Sequence, residues 1–154
     1  MTLGFSTKIK DKFTRFPEKI WQSLMQDLGV TDEIYYKWHG EDGILNYNMG
    51  NTYDDGLFDI NPKKHTIRKD EKGRWKVGND IHFVIGNRTK QRFQFAPKVK
   101  VKSIQKIKIV YEFPNNPDFN PCVFVDDELL DVDELYQLSI NDGFDSIDAF
   151  FWMV

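Results

Sequence analysis

Between Lys63 and Phe83 the chain reads KKHTIRKDEKGRWKVGNDIHF, setting Lys63, Lys64, Arg68, Lys69, Lys72, Arg74 and Lys76 around one threonine, two histidines and one tryptophan. Guanidinium and ammonium groups neutralise phosphates, and a Trp ring or an Arg plane gives an unstacked base a surface to lie on. A second basic group, Arg88, Lys90 and Arg92 in GNRTKQRF, follows the next apolar segment. Arg68, Arg74, Trp75, Lys76, Arg88, Lys90 and Arg92 are therefore candidate nucleic-acid-binding residues. They form two cationic clusters flanking one predicted strand, whose turns can share a rim. The competing reading is a solvated basic turn that grips nothing.

The charge of the whole chain conceals this segregation. Formal net charge is −3, but residues 63–110 hold 15 basic and 3 acidic side chains, whereas residues 111–154 hold 11 acidic and no basic ones. Such a division predicts a positive face, unless the acidic third folds back over the basic middle.

Other chemistries find little support. The chain has no G-x-S-x-G, no Walker-type glycine loop and no G-x-G-x-x-G. His39, His65 and His82 lack metal-ligand spacing, and Cys122 is the only cysteine, so neither a thiolate cluster nor an internal disulfide is expected. The acids from Asp126 to Asp133 lack the glycine and closing Glu of a calcium loop and read as a turn and helix caps. We expect no metal and no cofactor. No window carries the ~18 apolar residues of a membrane span, and no signal-peptide core opens the chain, so a cytoplasmic location is expected.

The elements that must position these residues are read from periodicity and punctuation. RFPEKIWQSLMQDLG predicts a helix, with Pro17 in its first turn, Gly29 at its stop, and Ile20, Trp21, Leu24, Met25 and Leu28 on a core face. Residues 30–62 form a long excursion rich in Gly, Asn and Asp, whose aromatics either stack on a ligand or pin the segment to the body. K-H-T-I-R and DIHFVIG read as strands. VKVKSIQKIKIVYEF alternates apolar and basic residues, but its phase breaks near Ser103, which predicts a bulge or two strands meeting there. PNNPDFNP is a loop, CVFVDDELL a hairpin over Asp126-Asp127, and VDELYQLSIN and IDAFFWMV are helices capped by Asp131 and by Asp145 or Ser146. Phe150, Phe151 and Trp152 read as core or as a partner contact. With 154 residues, 13 Phe and 4 Trp, one packed domain is expected, of α+β class on a small antiparallel or mixed sheet.

The 63–83 stretch, the NRTKQRF turn and the C-terminal LSINDGFDSIDAFF together resemble the ASCH (activating signal cointegrator homology) domain of the PUA-like superfamily, in its compact bacterial and phage form. The likeness lies in K-x-x-T-I-R, a polar turn leading to an aromatic-Lys-x-Gly segment, a strand, and an acidic-Gly-Phe step before a last helix. It covers the helix at 17–28 and most of 63–151. The resemblance implies a small β-barrel with flanking helices and a cleft for RNA, DNA or a modified nucleoside. Some compact members hydrolyse the amide of N4-acetylcytidine with a Lys, a Thr and an acid near the later helix. By position these fall on Lys63, Thr66 and Asp142, the last replacing a Glu. A desolvated Lys can activate Thr or water, and a carboxylate can shuttle the proton to the leaving amine.

Three functions are thus expected in competition. One is a module binding RNA, single-stranded nucleic acid or a modified nucleoside; another is a small amidohydrolase for N4-acylated cytidine. The third is a phage-type interaction protein that uses the excursion at 30–62 to block a partner's nucleic-acid site.

Overall fold

The structure, a computed structural model, describes residues 1–9, 12–39, 60–111 and 121–152. The chain opens with β1 (Thr2–Phe5), β2 (Lys8–Ile9) and β3 (Lys12–Phe13), then enters α1 (Phe16–Leu28) and α2 (Asp32–His39). Strands β4 (Asp80–Ile85), β5 (Phe93–Gln94), β6 (Val99–Lys100), β7 (Ile107–Val110), β8 (Cys122–Val125) and β9 (Glu128–Leu129) follow, before α3 (Val132–Asn141) and α4 (Ile147–Phe151). This is a mixed α+β architecture. Among the described residues no helix is long and apolar enough to cross a membrane.

The central strand is β4, whose adjacent Phe83 and Val84 are both buried, as expected of a strand covered on both faces. It pairs in parallel with β1, in the register Thr2 to His82 through Phe5 to Ile85, and antiparallel with β5 and β6. The remaining strands form a β2–β3 pair and a β7–β8–β9 meander. Described strands thus make three separate sheets and not one closed barrel, which corrects the barrel expectation for these residues. The phase break in VKVKSIQKIKIV is real: β6 ends at Lys100 and β7 begins at Ile107, with Lys100, Lys102, Lys106 and Lys108 all exposed. The Asp126-Asp127 hairpin forms with both residues at positive φ (50° and 69°), in the sense that matches strand twist.

The helix of 17–28 forms as α1, with proline in its first turn and Gly29 closing it at φ 62°. Trp21 is fully buried; its indole N–H donates to the Phe95 carbonyl at 3.1 Å, and it meets Tyr35 edge-on and Trp38 at a tilt. The described start of the excursion is therefore pinned to the body by its aromatics. Residues 40–59 and most of the Pro/Asn loop fall outside the described residues, and so does the partner role expected of that excursion.

One core gathers Leu3, Phe5, Phe16, Ile20, Trp21, Leu24, Phe83 and Phe95 between α1 and β4. A second gathers Val123, Leu135 and Phe150 between the meander and the last two helices. Phe144 packs against both and meets Phe16 and Phe150 edge-on, so an aromatic row joins them. Phe150 is core, whereas Trp152 at the end of the row is exposed. Asp131 caps α3 in a reciprocal capping box with Glu134, and Ser146, not Asp145, caps α4.

Candidate functional site

Residues 61–70, where K-H-T-I-R predicts a strand, contain none. Their backbone donors are spent elsewhere. The Lys63 N–H donates to the Lys19 carbonyl in the first turn of α1, and the Lys64 and His65 N–H groups both donate to the Asn141 carbonyl at the end of α3. The Ile67 N–H donates to the Asp142 carboxylate at 3.3 Å. An extended segment is thereby stitched between two helix ends, and the stitching draws Lys63 inside.

Lys63 is buried, its side chain 4% exposed against 7% for Asp142, and the two pair at 2.6 Å. Its ammonium also donates to the Asp142 backbone carbonyl and lies 4.9 Å from the Phe16 ring centroid. Loss of water pushes the Lys63 ammonium down to about 8, against the pull of the Asp142 carboxylate, which acts to raise it. Gly143 makes the arrangement possible. Its φ of +92° suits glycine, and any Cβ there would stand 3.1 Å from Lys63 Cδ and from the Phe16 ring. Next along, the His65 Nε2 faces the Leu138 carbonyl at 3.1 Å; since a carbonyl only accepts, Nε2 carries the hydrogen. Burial holds this imidazole below its ordinary titration range, so it is neutral near pH 7.

Lys63 and Thr66 both line a half-open cavity of about 790 Å³. Its apolar wall includes Leu3, Phe5, Ile81 and Phe83, and its polar wall includes Arg68 and Asp70. Thr66 Oγ1 is buried without a hydrogen-bond partner among the described residues. A buried hydroxyl in that condition costs free energy until something satisfies it. Asp142 does not line the cavity. It stands behind Lys63, where its Oδ1 accepts from the Lys63 ammonium and from the Ile67 N–H. Its place here is to hold Lys63 in position.

Arg68 and Trp75, with Leu3 and Phe5, line this cavity and also a second cleft of about 720 Å³, so they form the wall between the two. The Arg68 guanidinium is held by the Gly4 and Ile67 carbonyls and lies over the Phe5 ring, 5.4 Å from its centroid. Partial desolvation lowers its affinity for a proton, without discharging it near neutral pH. Trp75 is brought there by Asp70, whose carboxylate accepts the Arg74 and Trp75 N–H groups at 3.0 and 2.9 Å; these bonds hold it below the usual carboxylate range. Sequence reasoning passed over Asp70, and an Asp three residues before a turn glycine was the signal available.

Of the remaining candidates, Arg88 lines the second cleft, whereas Arg74, Lys76, Lys90 and Arg92 are exposed and line neither. The acidic third forms no ion pair with these cations among the described residues. Among the described residues its ion pairs are Asp142 with Lys63, Asp145 with Lys19 and Asp127 with Lys106, and Arg68, Arg74 and Arg92 pair with none of its carboxylates. No group of three or more His, Cys, Asp or Glu is placed among the described residues to hold a metal ion. No protein-family model, curated protein or solved structure matches this chain.

Proposed function

We propose that this chain is an ASCH-type nucleoside-binding domain whose main cavity takes a modified pyrimidine, free or within single-stranded RNA. In the same reading, its small sheets and flanking helices are an opened variant of the PUA-like barrel. The observation that carries it is the lining of one cavity: half-buried Trp75 offers an indole, and the anchored Arg68 offers donors to a polar edge, against an apolar surface that includes Leu3, Ile81 and Phe83. Its size, about 790 Å³, lies in the range of small-ligand sites. Titrating N4-acetylcytidine and a short single-stranded RNA at increasing salt tests the reading. RNA affinity falls steeply with salt and both ligands weaken severalfold in Arg68→Ala; a flat salt response together with an unaffected Arg68→Ala variant ends it.

A second reading, hydrolysis of an N4-acyl amide, is favoured by Lys63, whose titration near 8 supplies a fraction of neutral amine in a cavity that Thr66 also lines. Lys63 would take the proton of a water that attacks the acyl carbon, and return it to the exocyclic nitrogen as the C–N bond breaks, releasing a carboxylic acid and the cytosine amine. With Thr66 as nucleophile, the acyl group passes to Oγ1 and a water then releases it. Asp142 would fix Lys63 from behind. Incubation with N4-acetylcytidine tests it: product at equal rates from wild type, Lys63→Ala and Thr66→Ala removes both residues from the mechanism.

A further inference from the structure

The second cleft is built of different material from the main cavity. Lys8, Arg68, Lys69 and Arg88 line it together with the hydroxyl-bearing Ser6 and Thr7, and among the described residues no carboxylate does. Lys69 shares its charge with the nearby Glu71 at 2.6 Å, and Lys8 sits over the Phe13 ring, which leaves the cleft a net cationic hollow. The turn carrying Arg88 is folded tightly against β1. A Cβ at Gly4 would come within 2.9 Å of Asn87 Cβ, and one at Gly86 within 2.8 Å of the Gln91 carbonyl oxygen. Arg88 itself occupies the left-handed region at φ 69°, a conformation that few non-glycine residues adopt.

We propose that this cleft binds a phosphate of the nucleotide whose base occupies the main cavity; the inference rests on the nucleoside-binding reading. The shared wall of Arg68 and Trp75 puts the two hollows side by side, as base and backbone are in a nucleotide. Cations converging with hydroxyls suit a phosphate in particular, since its oxygens accept from both. A peptide strand adding to the edge of β1 fits less well. Arg68 Nη2 already donates to the Gly4 carbonyl at 3.1 Å, so an edge acceptor that such a strand would use is taken.

Calorimetric titration of N4-acetylcytidine, its 3′- and 5′-monophosphates, and inorganic pyrophosphate against the full chain tests this. At least one monophosphate binds about tenfold or more tightly than the nucleoside, and that ratio falls towards one in Arg88→Gly, which removes the cation and relieves the left-handed backbone, and in Lys8→Ala. A ratio near one in wild type, or an undiminished ratio in both variants, overturns the inference while leaving the nucleoside reading in place. Pyrophosphate binding that weakens in Arg88→Gly without any nucleoside binding keeps an anion site and sinks the base reading instead. Failure of all four ligands to bind ends both.

Discussion

The segments 63–68 and 72–76 carry cations at similar density, yet the protein treats them in opposite ways. In the first, Lys63 is sealed against Asp142 and Phe16, and Arg68 is anchored by two carbonyls. In the second, Arg74 and Lys76 stand in solvent while their backbone N–H groups are held by Asp70 and Asn79. The difference lies in what each backbone is tied to. The first segment is fastened to the ends of α1 and α3, which draws Lys63 between them while Lys64 and Arg68 stay exposed; the second is fastened within its own turn, and Arg74 and Lys76 go outward. Charge density says what a segment can attract, and tethering decides whether its charges act singly at a wall or together as a field.

The comparison is broken most severely at Lys63. Lys63→Met leaves the Asp142 carboxylate buried beside an apolar chain, and a cost of about 3–5 kcal/mol is expected by urea unfolding. The double variant with Asp142→Asn should recover a large part of it, because neither charge is then stranded. Full additivity of the two single losses would mean that the pair is not coupled.

Titration probes the same group without mutation. Unfolded Lys63 keeps its proton to about 10.5 and folded Lys63 only to about 8, so between these values the unfolded chain binds the additional proton and stability rises with pH. A gain of up to ~3 kcal/mol is expected across that window and should be absent from Lys63→Met. His65 acts at the other end. Its folded titration is depressed, so stability falls as pH drops below 6.5, through the range where only the unfolded ring takes a proton. A stability profile of Lys63→Met that matches wild type above pH 8 would show that another group is responsible.

Thr66→Val sharpens the contrast between stability and function. The swap keeps the side chain's shape and removes a buried hydroxyl that no described residue satisfies, so stability should rise by about 1 kcal/mol while ligand affinity falls. A loss of stability would indicate that Thr66 is satisfied within the fold. The smallest effect belongs to the outer segment: Arg74→Ala and Lys76→Ala should each stay within ~0.5 kcal/mol of wild-type stability. If either residue touches a phosphate, the variant should reduce the slope of log affinity against log salt for single-stranded RNA by ~0.7.

Much of the architecture was legible locally. Pro17 and Gly29 delimit α1, Asp131 with Glu134 starts α3, the paired aspartates make a hairpin, and the broken alternation near Ser103 separates β6 from β7; each is a short-range preference that tertiary contacts did not override. What escaped was of longer range. TLGF becomes β1 because β4 offers it a parallel edge, and its own four residues carry too little pattern to announce a strand. K-H-T-I-R has strand-type residues but finds its backbone partners on two helix ends instead of on a ladder.

Residue order and type alone placed most of the cations of this chain in its middle third, ruled out a cysteine cluster, and marked α1, α3 and α4 around short strands, but not the three strands that precede α1. Tertiary contacts alone settled which cation would be desolvated, that Asp142 would pair with Lys63 outside the cavity lining, and that Arg68 and Trp75 would line two hollows at once. The reason is physical: residue type sets charge and hydrogen-bonding capacity. Burial and the aim of each group depend on contacts between residues far apart in the chain, 79 positions for Lys63 with Asp142 and 126 for Lys19 with Asp145, and no local pattern encodes them.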